Sequence, residues 1–388
     1  MIIVNPNHRN PSPMAAIEPP IWAAYLASYY GAHSIIDAEL EGLTVDETAK
    51  RVGNQQAVIV SMGANPSASS TPKAGVSLEI AKRLPNSILA GLHFGNMPDA
   101  MQLKNITPAW ELIDFSKYRA HNWHCLHDVS TRANYGVVYT SFGCPFNCDY
   151  CNIQSLYKGV SYRKPQDVVD EVGYMVSKGI KNLKICDELF ALNETHITEV
   201  CEGIKDFNLN VWAYARADVI TPRLLEVMKD GGINWLAYGF EGASMGKGSP
   251  YKAVEMTREA GINTMGNFMF GLPGDTEETM QRTLDMAYDL NCEWVNFYCT
   301  MAYPGSKLYE DTNQDDLPSR WEDYGQYSPN AKPLPTEHLT SEQVLEFRDH
   351  AFNSYFKREE YLSMIWQKFG KQAVNHIREM LEWSPRGN

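Results

Sequence analysis

Residues 144 to 151 read Cys144-Pro-Phe-Asn-Cys148-Asp-Tyr-Cys151, three cysteines with the spacing C-x3-C-x2-C. A tight loop can gather such thiols on one face, and as thiolates they bind soft metals. A 4Fe–4S cluster that only carries electrons takes four cysteine ligands. Three cysteines leave one iron open to chelation by a small molecule, and the centre can then do chemistry. Zinc would want a fourth ligand, and His121, His124, Cys125 and His127 stand nearby in the sequence. Their stretch has neither helical nor strand periodicity, and histidines three residues apart converge only on a helix. They read as ordinary connector.

The elements that must position this loop follow from the hydrophobic pattern. Strands are predicted at residues 136–141, 182–186, 211–215, 235–240, 263–270 and 294–300, with helices at 166–178, 194–207, 223–229, 251–260 and 277–290 between them. Gly179, Gly231-Gly232 and Gly261 close helices just before the next strand. This alternation predicts an α/β fold, a partial (β/α)6 barrel with its reactive groups at the C-terminal ends of the strands. Ahead of it, strands at 2–5, 34–37, 57–61 and 87–90 alternate with helices at 21–30, 44–52 and 74–84, a truncated Rossmann-like unit. The expected organisation is residues 1–105 for that unit, 106–134 for a connector, 135–311 for the barrel and 312–388 for a helical C-terminal region. The tail aromatics Tyr355, Phe356, Tyr361, Trp366, Phe369 and Trp383 read as a helical core.

The run Phe142-Gly143-Cys144-Pro145 through Tyr150-Cys151, placed after the first barrel strand, resembles the signature loop of the radical S-adenosylmethionine (SAM) superfamily. That resemblance implies a 4Fe–4S cluster on Cys144, Cys148 and Cys151. Its open iron would hold the amino and carboxylate groups of SAM, and one electron would cleave SAM to methionine and a 5′-deoxyadenosyl radical. Tyr150 would pack near the adenine. Asp187 or Glu188, after the second strand, would face the SAM amine, and Arg216, after the third, its carboxylate. Glu241, in Gly239-Phe-Glu241-Gly242, would reach the ribose or amine. Gly271-Leu-Pro273-Gly274 resembles the turn that lets backbone approach SAM, and Tyr303-Pro304-Gly305 the family's closing segment. Cys299, Tyr298 and Tyr303, near the last strand, are candidate hydrogen-atom donors.

The front unit resembles the cobalamin-binding domain of one large radical SAM subgroup. Asn5-Pro6, the helix around Trp22, and Gly91-Leu-His93 fall where that subgroup carries similar residues. Gly91 and His93 are then cobalamin contacts, together with the edge near residues 5–8. The subgroup's Asp-x-His-x-x-Gly loop is missing; Asp37-Ala-Glu39-Leu-Glu-Gly42 has its outline with Glu in place of His. A fifth strand and helix are also missing, so cobalamin binding and a retained scaffold both stay open. The implied function is methylation or a related carbon-skeleton reaction on a small or medium organic substrate. The alternatives are cobalamin-independent rearrangement, epimerisation or oxidation and, remotely, a non-enzymatic metal-binding module.

The composition agrees. A formal net charge of -13 over 388 residues disfavours a nucleic-acid partner. No apolar run approaches the ~20 residues of a membrane span, and the N-terminus reads as a strand and not as a signal peptide. Eight irregularly spaced cysteines do not form a disulfide framework. A cytoplasmic enzyme reduced by a donor such as flavodoxin or ferredoxin is expected.

Overall fold

Short runs of β-branched and aromatic residues, buried along nearly their whole length, build two parallel sheets. The computed structural model of the chain describes residues 1–7, 16–64, 66–242 and 249–382; His8 and Trp383 lie outside the described residues. In the front sheet β1 (Ile2–Asn5), β2 (Ser34–Asp37), β3 (Ala57–Ser61) and β4 (Ser87–Gly91) stand in the order β2-β1-β3-β4. The register runs Ile2 beside Ser34 on one side and Ala57 on the other. The neighbours of β1 therefore diverge at its C-terminal end, which opens a crevice there.

The second sheet holds β5 (Tyr135–Val138), β8 (Asn182–Ile185), β9 (Asn210–Ala215), β10 (Ile233–Glu241), β11 (Asn263–Phe270) and β12 (Trp294–Cys299), all parallel and in chain order. The crossover helices begin at side-chain caps such as Thr221 on Leu224 and Thr276 on Thr279. Gly179, Gly232 and Gly261 have positive φ at helix ends, as do Asn208 and Asn291. Gly231 does not share this geometry, with φ -74.

The predicted strand 136–141 divides in two. The Asp187 carboxylate accepts the Thr140 N–H, and the Thr140 carbonyl accepts from the Arg163 N–H. These bonds turn the backbone off the barrel into β6 (Ser141–Phe142), which pairs antiparallel with β7 (Ser161–Tyr162). The helix expected from residue 74 starts at Pro66. Its first turns look like a loop, but Ser70 and Thr71 are fully buried there. Ser70 takes the Gly63 N–H, and Thr71 is bonded to His93.

Three C-terminal helices, Ser341–Lys357, Glu359–Phe369 and Lys371–Leu381, pack against the barrel. Tyr355 and Tyr361 donate to the carbonyls of Cys292 and Glu293. Of the tail aromatics among the described residues, Tyr355, Phe356 and Tyr361 are core residues, half-buried Phe369 packs against the core, and Trp366 is 59% exposed. The connector stoppers the N-terminal end of the barrel, where Trp123 meets Trp212 and Trp235 at ring distances of 5.1 and 5.3 Å.

The front unit and the connector are tied in at three places. Tyr118 donates to Asp37, and Trp110 donates to Glu171, which pairs with buried Arg163. Glu18 reaches the barrel interior and meets Lys184 at 3.0 Å.

Candidate active site

The β6–β7 ladder is the neck of a loop that carries all three cysteines. Gln154 holds the loop shut, its side-chain amide donating to the carbonyls of Cys144 (2.7 Å) and Phe146 (2.9 Å). On its outer side the loop docks against the segment that follows β12. Asn152 donates to the Pro304 carbonyl, Ser155 to that of Gly305, and the Leu308 N–H to that of Asp149. Gly305, at φ +89, has no room for a Cβ, which would lie 2.6 Å from the Ser155 hydroxyl.

Cys144, Cys148 and Cys151 are half-buried and outside any disulfide. They form one wall of a cavity of about 280 Å³, and the ends of β8 to β12 form the other. Glu188, Arg216, Glu241, Asn267 and Tyr298 reach it from those ends. Burial, together with nearby Glu188 and Cys148, pushes the Cys144 thiol above its usual pKa.

Among the described residues no fourth cysteine and no histidine lines this cavity. Nor do three His, Cys, Asp or Glu side chains anywhere among them gather closely enough for a single ion. A zinc ion needs its four ligands to meet at one point, whereas a multi-iron cluster takes each ligand on a different iron. The donor set suits the cluster, with the last position left to a small molecule.

The charged side chains opposite are individually seated. Arg216 makes a bidentate pair with Asp218 at 2.9 and 2.6 Å. Its guanidinium lies 3.8 Å above the ring of Phe146, which stands between the first two cysteines. Glu241 has φ +52, uncommon for a residue with a side chain, and its Oε1 accepts from the Tyr150 hydroxyl at 3.0 Å. Burial first, and then Asp187, pushes the Glu188 carboxyl up to about 8, against a smaller opposing effect of Lys184. Its Oε1 is shielded from solvent and has no hydrogen-bond partner. An orphaned acceptor beside the thiols fits an incoming ammonium such as that of SAM.

The residues expected at SAM divide. Tyr150, Glu188, Arg216 and Glu241 line the cavity together with the three cysteines. Asp187 does not. Its carboxylate is consumed by the Thr140 N–H, the Thr140 hydroxyl and the Ser141 hydroxyl, at 2.6, 2.6 and 2.7 Å. Gly271 and Pro273 also stand off. Gly271 (φ +78) is needed because a Cβ would lie 2.5 Å from Val344 of the C-terminal helices, and the Pro273 carbonyl accepts from Glu337 N–H.

The three hydrogen-donor candidates separate in the same way. Tyr298 is on the cavity wall. Cys299 points to the opposite face, its Sγ 3.9 Å from the Val344 carbonyl. Tyr303 is buried under Gln326, whose amide also brackets the backbone of Cys299. Asn267, Tyr214 and Gln154 were not singled out in the sequence.

A second cavity, of about 250 Å³, opens at the crevice of the front sheet. Asn5, Met62, Gly63 and Lys73 line it from the sheet, and Glu18, Trp22, His121 and Lys184 from the other side. Lys73 is engaged by Glu39 and Asn5. Gly91 and His93 are outside this lining. A Cβ on Gly91 would meet the Ser61 carbonyl oxygen at 2.4 Å. His93 is bonded to Thr71 at 2.9 Å and packs on Trp321 at 5.2 Å. The connector histidines share no site: His121 approaches Glu18 at 3.7 Å, while His124 is fully buried with neither ring nitrogen bonded.

Residues 138–287, from the end of β5 to within the helix before β12, match the radical SAM superfamily. The matched span holds the cysteine loop and β8 to β11. An uncharacterized methyltransferase of Pyrococcus horikoshii is 28% identical to this chain over 74% of its length. That match spans 64% of the archaeal protein, so the chain covers a little under two thirds of it. The anaerobic magnesium-protoporphyrin IX monomethyl ester cyclase of Rubrivivax gelatinosus is 23% identical over 86% of this chain and 73% of its own. Among solved structures, the radical SAM methyltransferase TsrM of Kitasatospora setae, with cobalamin and a 4Fe–4S cluster bound, superposes with a TM-score of 0.65. The superposition covers 98% of both chains at 15% identity, and the likeness is one of fold. Among the described residues no helix is long and apolar enough to cross a membrane.

Proposed function

We propose that this radical SAM enzyme binds a 4Fe–4S cluster through Cys144, Cys148 and Cys151 and SAM in the adjoining cavity, and that it methylates, or otherwise remodels the carbon skeleton of, a small or medium organic substrate. When bound, the cluster supplies the electron that cleaves a carbon–sulfur bond of SAM. The observation that carries this reading is one cavity faced by three cysteine side chains on one side and by Glu188, Arg216 and Glu241 on the other. Glu188 pairs with the amine, Arg216 with the carboxylate and Glu241 with the ribose or amine. Tyr150 and Phe146 shield them from water, and the packed wall keeps solvent from the reacting centre.

Cobalamin, bound by the solved neighbour, has its natural place at the front-sheet crevice. Among the residues there, the Trp22 Nε1 is buried without a partner, a donor that the amide rim of a corrin would satisfy. Gly91 and His93 are not its contacts on this reading. Tyr298 on the cavity wall favours a second reading, cobalamin-independent rearrangement or oxidation with Tyr298 as hydrogen-atom donor. A reduced flavodoxin or ferredoxin as electron source, and a cytoplasmic location, accord with eight cysteines that form no disulfide.

Anaerobic reconstitution tests the core of the proposal. The expected product holds about four irons with sulfide per chain and releases 5′-deoxyadenosine or a methylated product from SAM under dithionite. Cys148→Ala should lose both iron and SAM cleavage. One zinc per chain, or SAM cleavage surviving replacement of all three cysteines, overturns it. Mass analysis of the substrate then separates methylation from an equal-mass or oxidised product.

A further inference from the structure

Two aromatic side chains stand between the cysteines, and each touches a charge presented by a different barrel strand. Phe146 lies under the Arg216 guanidinium at 3.8 Å, and Tyr150 donates to Glu241 at 3.0 Å. The barrel side is shaped for the second contact at some cost. The pairing of β10 with β11 slips between Gly239 and Glu241, so the strand bulges there. Glu241 takes a positive φ, a strained conformation for a residue with a side chain. Gly239 is bare, and a Cβ on it would lie 2.6 Å from the Glu241 Oε1. Bulge, strain and missing side chain together bend one carboxylate back over its own strand, toward the cysteine loop.

We infer that Phe146 and Tyr150 are positioning residues: they seat Arg216 and Glu241 in the geometry that grips SAM, so that ordering the cysteine loop around the cluster also completes the SAM site. This rests on the assignment of the cluster and SAM to this cavity, and it adds what the aromatic positions of the loop do. Neither ring needs to touch the reacting atoms. Tyr150 acts through its hydroxyl, which holds the strained carboxylate in one rotamer. Phe146 acts through its face, a surface on which a guanidinium already paired with Asp218 can lie flat. The physical consequence is order of assembly. A loop spread or displaced from this geometry would take both seats away from the two charges together.

The test is a pair of double-mutant cycles on anaerobically reconstituted full-length protein, Tyr150→Phe with Glu241→Gln and Phe146→Leu with Arg216→Ala. SAM affinity is read from the change SAM makes in the electron paramagnetic resonance of the reduced cluster, which reports loaded molecules only. Each aromatic replacement is expected to weaken SAM ~10-fold, the scale of a lost hydrogen bond to a charged group for Tyr150 and of a lost cation–π contact for Phe146. Each double variant is expected to be no weaker than its charge variant alone, because the aromatic acts through the charge. Additive losses within a cycle, or unchanged affinity in both single aromatic variants, overturn the inference. Failure of the wild type to bind SAM or a cluster is a different result and removes the functional proposal itself.

Discussion

Gly143 and Gly159 face each other so closely that a Cβ on Gly143 would lie 2.1 Å from the Gly159 carbonyl oxygen. The neck of the cysteine loop is thus closed backbone to backbone, directly before Cys144. Gly143 also has φ +92, outside the range of ordinary side-chain-bearing residues. Gly143→Ala should force the neck open and spread the thiols. Iron per chain after reconstitution should fall well below wild type, while far-ultraviolet circular dichroism stays unchanged because the barrel strands do not pass through the neck. Full iron loading in this variant would mean that the neck does not set the spacing of the thiols.

Glu188 makes SAM binding depend on pH. In the cofactor-free protein its carboxyl is held up to about 8 by burial and by Asp187, so near neutrality it carries a proton. An ammonium favours the carboxylate, and SAM must therefore displace that proton. Affinity should rise with pH, by at most ~tenfold per unit, and level off above about 8. Glu188→Gln should flatten the profile. The same shift has a stability consequence of opposite sense. A folded pKa above the unfolded value of 4.5 means a contribution that is full below 4.5 and is lost as pH rises through about 8. Cofactor-free Glu188→Gln should accordingly melt higher than wild type at pH 8 and not at pH 4. Calorimetry at the two values checks it.

How much of the site was legible depended on whether its determinants are local. Cys144, Cys148 and Cys151 share a short loop, and their spacing alone states the chemistry. The strands were legible too, since period-two burial and short apolar runs survive in any context. At the strand ends the sequence offered Asp187 and Glu188 as equals, and only the third dimension separates them. Asp187 is claimed by Thr140 and Ser141 across the sheet, which leaves Glu188 for the cavity. For Tyr298 and Cys299 a signal existed and was not used. Asn267 and Asn296, paired at 3.0 Å across β11 and β12, mark the inner face of otherwise apolar strands. Alternation then puts Tyr298 on that face and Cys299 on the other. Gly271 had no usable signal. Its lack of a side chain looks like a cofactor glycine, but the atom that needs the space belongs to Val344, far along the chain. Gln154 and Gln326 were equally silent, because an amide that clamps a distant backbone carries no pattern in its own neighbourhood.

The ion pair between Glu18 and Lys184 is expected to fix the front unit against the barrel. Lys184 is 1% exposed, its ammonium 5.0 Å from the Trp212 ring and 3.1 and 3.0 Å from the two Glu18 oxygens. Burial alone would raise the Glu18 pKa, yet Lys184 and His121 outweigh it and hold the carboxyl at about 2. Removing one partner strands the other charge in a dry site. Glu18→Gln should cost about 3–5 kcal/mol in urea unfolding. Glu18→Gln combined with Lys184→Met should recover most of that, since two neutral groups leave no charge unpaired. The sign with pH follows from the depressed value. The contribution of Glu18 is full above its ordinary 4.5 and is lost as pH falls through about 2. The stability gap between wild type and Glu18→Gln should therefore stay level from neutrality down to about 4.5 and narrow steadily below it. A single variant within 1 kcal/mol of wild type at neutral pH, or a double variant as unstable as the single, would show that the segment carrying Glu18 is held by its packing and not by this pair.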